Sequence, residues 1–209
     1  MLLLQHPSSA APRRTVSVLL LLGLGACATP SPVVVNSTLI AQPALATRSP
    51  SQVAVLPVED GTADGSVQRH LVFLRQELMR QLPSRLFTPL TATTVDAALN
   101  NVAKPAPGDS IVVPATLQKL AGHAAEDAVF ALRVERWDEN RLHVDRTLRF
   151  QFQAALIGSD GVQLWGGSIQ GEIKAGGAGP APRDKEGMAR SCGELAVREM
   201  IARLPLCTH

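Results

Sequence analysis

From Leu142 to Leu156 the chain keeps a two-residue rhythm. Leu142, Val144, Leu148, Phe150, Phe152, Ala154 and Leu156 share one face. His143, Asp145, Thr147, Arg149, Gln151 and Gln153 share the other, with Arg146 the exception on the inner side. Successive side chains of a strand point to opposite faces, so this pattern predicts a long strand with one core face and one wet face. Ser159-Asp160-Gly161 is a hairpin turn, after which Val162 to Ile173 returns antiparallel. Upstream, Phe130, Leu132 and Val134 alternate with Arg133 and Glu135, so Ala128 to Trp137 is a third strand of the same meander.

The rest of the chain supplies what the meander needs to pack on. Val53 to Val58 is a continuous apolar run and predicts a strand buried on both faces. Ser66 is placed to cap a helix whose stripe is Val67, Leu71, Leu74, Leu78 and Leu82, with Pro83 stopping it. Leu86 to Thr91 reads as a second strand, and Thr94 as the cap of a short helix through Ala98, Leu99 and Val102. Lys104 to Asp109 is a Pro/Gly loop, and Leu117, Leu120, Ala121 and Ala124 form another helical stripe. Lys174 to Gly187 is a Gly/Pro-rich loop. Met188, Cys192, Leu195, Ala196, Met200 and Leu204 make the last helix. The order β-α-β-α-α-β-β-β-α predicts one α/β domain, with a mixed sheet, a three-strand C-terminal meander and helices mainly on one face.

Charge separates the first residues from the body. Residues 1–26 hold Arg13 and Arg14 and no acid, and the other 18 basic residues balance 18 acidic ones. A neutral body excludes a strongly basic nucleic-acid binder, and 3% aromatic residues with no Tyr argue against stacking platforms for bases or sugars. The run Val16 to Leu24 is too short to span a bilayer but fits the apolar stretch of a secretory signal. Leu24-Gly25-Ala26-Cys27 resembles the lipobox of bacterial lipoproteins, which implies cleavage between Ala26 and Cys27 and lipidation of Cys27. Thr15, Val16 and Ser17 after the arginine pair favour ordinary export over the twin-arginine route. Ala28 follows the Cys where an inner-membrane retention signal would carry Asp, so the resemblance implies the periplasmic face of the outer membrane. Residues 27–50, with Pro30, Pro32, Pro43 and Pro50, read as a lipidated N-terminus and tether, in which Val33-Val34-Val35 and Leu39-Ile40 could dock as a short extended piece. Residues 51–209 are then the periplasmic domain.

Few residues suggest chemistry. His143 and Asp145 lie two apart with Arg149 beyond them, but a metal needs three or four ligands and no other His or Cys is near in sequence. His123, beside Glu126 and Asp127, reads as a surface histidine in a helix. Glu59, Asp60 and Asp64 miss the calcium-loop spacing. No nucleophile elbow is present, and Gly166-Gly167 and Gly176-Gly177 lack the context of a phosphate loop. No catalytic residue, metal or cofactor is expected. Cys192 and Cys207 remain as a candidate disulfide in an oxidising compartment, provided the tail folds straight back. Trp137 and Trp165 sit beside core patterns and are expected to pack within the sheet.

Several segments together resemble a family. Val53 to Val58 is similar to an opening V-x-V-L-P-V strand, and Asp127 through Trp137-Asp138 to a D-A-V-L-Y…W-D segment. Leu156, Asp160-Gly161 and Leu164-Trp165 are similar to an L-x-D-x-x-T-G-x-x-L-W hairpin. Over roughly residues 50–173 the chain thus resembles bacterial outer-membrane lipoproteins with a TolB-N-terminal-like or CsgG-like fold. LpoB-type synthase activators and PelC-type export lipoproteins are among their relatives. The aromatic-rich second strand and the long amphipathic hairpins of a curli-type pore are absent, which speaks against a pore. The resemblance implies non-enzymatic accessory or scaffold work in an envelope assembly, either as a homo-oligomer or on an envelope protein partner. The polar strand face of His143, Asp145, Arg149, Gln151 and Gln153 is the expected partner surface, together with the loop Lys174 to Gly187. The alternative is a small-molecule or glycan binder of an export pathway, which requires a concave pocket with convergent polar groups.

Overall fold

In the computed structural model, residues 33–102, 110–176 and 182–207 are described. The strands are β1 (Val33–Ser37), β2 (Ile40–Ala41), β3 (Gln52–Val55), β4 (Glu59–Asp60), β5 (Thr88–Pro89), β6 (Ala128–Asp138), β7 (Thr147–Gly158) and β8 (Gln163–Lys174). The helices are α1 (Pro43–Arg48), α2 (Leu71–Gln81), α3 (Ala92–Leu99), α4 (Pro114–Leu120) and α5 (Lys185–Ile201). The sheet runs β1-β8-β7-β6-β3-β5, with β2 paired to β8 and β4 to β6. It is mixed: β5, β3 and β6 are parallel, and β6, β7, β8 and β1 antiparallel.

β3 lies between β6 and the end strand β5 and is buried on both faces, as its unbroken apolar run predicts. Val53 and Val55 join the larger core under α2 and α5, while Ala54 joins a smaller core with Val95 of α3 and Leu117 and Leu120 of α4. The larger core holds Phe130, Phe150, Phe152 and Trp165, each no more than 1% exposed. The two long helices thus share one face. On β6 and β7 the short α3 and α4 cover the other face only over Val129, Ala131, Ala155 and Ile157.

Strict alternation along β6 would turn Arg136 inward and Trp137 outward. A β-bulge between Val134 and Arg136 resets the phase, so Trp137 opposes Phe150 and is buried, and Arg136 opposes Gln151 and is exposed. Both tryptophans pack in the sheet, as expected.

Local signals were displaced by about a turn. Ser66 does not cap α2; its hydroxyl donates to the Trp137 carbonyl at 3.0 Å, and residues Gln68–His70 form a 3₁₀ turn before the helix. The cap of α3 is Thr91, whose hydroxyl accepts the Thr94 N–H at 3.2 Å. Pro83 sits in a second 3₁₀ turn, which ends on Leu86 in the left-handed region at φ 66°. α4 ends at Leu120, leaving His123 exposed in the following turn. α5 begins at Lys185, where Asp184 caps it through the Gly187 N–H.

The tether expected over 27–50 is the largest correction. From Val33 onward it is part of the fold: β1 lies along β8 as the outermost strand, β2 follows, and α1 buries Leu45. The extended pieces at Val33–Val35 and Leu39–Ile40 dock, and everything between them docks too. Two glycines of β8 permit this approach. A Cβ on Gly171 would run into the Val34 carbonyl oxygen, and one on Gly167 (φ 138°) into that of Thr38.

Gly171→Ala is therefore expected to push β1 off the sheet at a cost of about 1–3 kcal/mol. Limited proteolysis should then cut within 33–41 at least tenfold faster than in the parent, while the α2–α5 core keeps its helical signal by circular dichroism.

Candidate functional site

The meander leaves part of one face without a helix among the described residues. Strand registers set its polar side chains in rows across the sheet. Arg133 opposes Gln153, which opposes Ser168; Arg136 opposes Gln151, which opposes Gln170 and then Asn36 of β1. Asp138 opposes Arg149, which opposes Glu172 and then Val34. Cross-strand neighbours of this kind interact directly. The Arg149 Nε donates to Glu172 at 2.5 Å, and Arg133 pairs with both Glu59 and Glu135. A hollow of about 310 Å³ lies between Arg136, Arg149, Gln170 and Glu172, with Asn36 at its rim.

Three of the five residues expected on this face are there. Arg149 and Gln151 are half-buried and Gln153 is exposed. His143 and Asp145 are not on the strand, which begins at Thr147. They belong to a compact turn: Val144 and Asp145 both donate backbone N–H to the Arg141 carbonyl at 3.1 Å, and Asp145 Oδ1 accepts the Thr147 N–H. Arg146 adopts a left-handed backbone at φ 63°. That residue breaks the phase, which explains why it looked like an inward exception in the pattern. Leu142 is buried and Val144 is 83% exposed, so their apparent membership of the inner face was coincidence.

A second site was missed: a buried carboxylate at the end of β6. Glu139 is 8% exposed. Its Oε1 lies 2.9 Å from His70 Nε2 and accepts from Trp137 Nε1 at 2.9 Å. Its Oε2 pairs with Arg69 and, at 3.3 Å, with Lys185 Nζ. His70 is itself 1% exposed, and its ring lies 5.4 Å from that of Trp137. Burial alone would raise the Glu139 carboxyl; hydrogen bonds from His70, Trp137 and Lys185 and the Arg69 charge outweigh it and bring the group down to about 2. A carboxylate held so low is a poor general base at neutral pH. Asp138-Glu139-Asn140 had only the signature of a turn, and apart from Trp137 the partners of Glu139, namely Arg69, His70 and Lys185, lie far away in the chain.

The cleft beside Glu139, about 800 Å³, is lined mostly by polar groups of both signs. Trp137 is 3% exposed and offers it no stacking face. No group of three or more metal-ligating side chains occurs among the described residues.

The two C-terminal cysteines are not bonded to each other. Cys192 Sγ is directed at the Ile173 carbonyl and Cys207 Sγ at that of Pro50, at 3.5 and 3.2 Å. Burial pushes the Cys192 thiol up to about 12, and burial together with the Asp127 charge raises Cys207 as well. The tail returns to pair Cys207 N–H with the Arg85 carbonyl, beside the 3₁₀ turn rather than against α5. Cys27 and Ala26 lie outside the described residues, as does the middle of the Lys174–Gly187 loop.

No protein-family model matches the chain, and no curated protein sequence does. Among solved structures it is similar to the PelC dodecamer from Paraburkholderia phytofirmans, at 16% identity and TM-score 0.44, over 84% of this chain and 99% of that one. It is also similar to lipoprotein GNA1162 from Neisseria meningitidis, at 20% identity and TM-score 0.43, over 73% and 99% of the two chains. The LpoB C-terminal domain from Salmonella enterica aligns at 20% identity and TM-score 0.38, over 59% of this chain and 82% of that one.

Two outcomes are expected. Both C-terminal thiols should resist a soluble alkylating reagent in the native protein and react after unfolding without reductant, as intact-mass measurement will show. Glu139→Gln should destabilise the fold by about 3 kcal/mol at pH 7. Because the native carboxyl sits below its ordinary 4.5, at about 2, that contribution is complete above pH 4.5 and disappears as pH falls towards 2. Urea unfolding at pH 7 and pH 3 should therefore show the parent and variant converging at the lower pH.

Proposed function

We propose that this chain is a lipid-anchored lipoprotein on the periplasmic face of the outer membrane, serving as a non-catalytic accessory or scaffold of an envelope assembly. The lipobox resemblance at Leu24–Cys27 supports the anchor and the compartment. The observation that carries the scaffold reading is the polar part of the β6, β7 and β8 face, on which no helix of the described residues lies. Its side chains are long, polar and arranged in rows, and it continues to the outermost strand β1. A face with Arg136, Arg149, Gln151 and Gln170 offers several donors and acceptors to a protein partner, and an arginine-bearing polar rim of this kind is common in interfaces. The glycan-binding alternative gains less support, because the larger cleft has no exposed aromatic side chain among its lining residues.

The anchor is checked by metabolic labelling with radioactive palmitate. Label should enter the parent chain and be lost in Cys27→Ser. The surface is checked by native mass and co-purification from mild detergent. Arg149→Glu should weaken complex formation at least tenfold while leaving thermal unfolding within a few degrees. The double variant Arg149→Glu/Glu172→Arg restores the ion pair within the sheet. If it also restores the complex, the contribution of Arg149 is internal, and the face is not the interface.

A further inference from the structure

β1 enters the sheet at one end only, and that end has a distinct surface. Val33 opposes Ile173, which opposes Leu148, and the next pair along is Thr147 with Lys174. The start of β1 therefore lies at the same end of the sheet as the turn of residues 139–146 and the end of β8. If Cys27 carries lipid, only residues 28–32 separate it from Val33. Fully extended, that stretch reaches about 20 Å, against roughly 75 Å for a tether running to residue 50. The anchor leaves this end of the domain little room to stand away from a bilayer.

The turn at that end is built outward. Leu142 plugs the core, at 0% exposure, and the two N–H groups on the Arg141 carbonyl and the Asp145–Thr147 bond fix the backbone around it. Val144 then projects as the most exposed large apolar side chain of the described residues, at 83%. Arg146 lies two residues on, and Lys174 opposes Thr147 across the sheet; both are exposed, and neither makes an ion pair among the described residues. The Arg141–Asp145 pair cancels itself. His143 is exposed beside them. An apolar tip at the same end of the sheet as two exposed cations matches the headgroup layer of an anionic bilayer, with the phosphates meeting the cations and the tip meeting the acyl boundary.

We propose that this end of the sheet, with Val144 as its tip and Arg146 and Lys174 as its phosphate contacts, seats on the surface of the membrane that holds the anchor. The inference rests on the lipid-anchor reading and deepens it: the lipid supplies attachment, and the seated end fixes orientation.

The test uses the full lipidated chain in vesicles of phosphatidylethanolamine and phosphatidylglycerol, with and without brominated acyl chains. The native tryptophans are buried out of reach of the bromines and give a constant background. The fluorescence that a Val144→Trp variant adds over the parent should be quenched at least twofold by the brominated chains. A Val162→Trp variant, in the hairpin turn at the opposite end of the sheet, should be unaffected. Arg146→Gln and Lys174→Gln should each weaken seating about fivefold on this lipid mixture, and pure phosphatidylcholine should seat the parent poorly. If the protein floats with the vesicles and the Val144→Trp signal is not quenched, the seating inference is overturned while the anchor stands. If the chain does not float at all, the anchor reading itself is overturned.

Discussion

The fold is tied at one end by a carboxylate that has been taken out of water. Burying an ionised group costs several kcal/mol unless donors replace its hydration. Glu139 is surrounded accordingly, by Arg69 and His70 of the 3₁₀ turn before α2, by the Trp137 indole and by the first residue of α5. Each of these comes from a different element, so the carboxylate fixes where α2 begins, where α5 begins and how β6 leaves the sheet. The turn that follows β6 inherits that rigidity, with Leu142 donating its N–H to the Glu139 carbonyl. The bulge at Val134/Arg136 is part of the same arrangement, since only the reset phase brings the indole of Trp137 inward to reach Glu139.

The sheet changes character along its length. At the end where β6 begins and β7 finishes, both faces are apolar, and helices cover both. Towards the other end the second face becomes polar, from Arg133 and Gln153 to Arg149 and Glu172, and no helix among the described residues lies on it. Desolvating such side chains under a helix would leave many donors to satisfy. Covering by α3 and α4 therefore stops where the apolar residues stop, and the open face is a consequence of the strand sequences themselves.

That open face was legible because a two-residue period survives in any strand with one wet side. The meander, the buried β3 and the helices α2 to α5 were legible for the same kind of reason: each is a pattern within one segment. What escaped needed information from two segments at once. The 27–50 segment, with Pro30, Pro32, Pro43 and Pro50, read as a tether in which Val33–Val35 and Leu39–Ile40 alone could dock. The sign that it docks lay elsewhere, in glycines at 167 and 171 inside a strand, where a close neighbouring backbone is the usual reason. The hub at Glu139 joins residues about seventy apart in the chain with others nearer still to its end. The misplacement of His143 and Asp145 has a local cause. A turn with one buried and one exposed leucine-sized residue can mimic alternation until a left-handed residue such as Arg146 breaks the count.

Docking β1 changes what an anchor at Cys27 would do mechanically. A long tether lets a domain roam and choose its orientation when it meets a partner. On the proposed anchoring only residues 28–32 would separate the lipid from β1, which would restrict that freedom and lower the entropy still to be lost on assembly, as any preorganisation does. With the β1 entry end towards the bilayer, β7 and β8 would run outward. Their 12 residues each span about 40 Å. The polar rows of Arg133, Arg136 and Arg149 would then stand as a wall rising from the membrane, displayed sideways to neighbours held in the same plane. Lateral presentation of this kind raises the effective concentration of two anchored surfaces without strengthening any single contact. On the proposed anchoring, a face of screened ion pairs would need less intrinsic affinity to assemble on a membrane than in free solution.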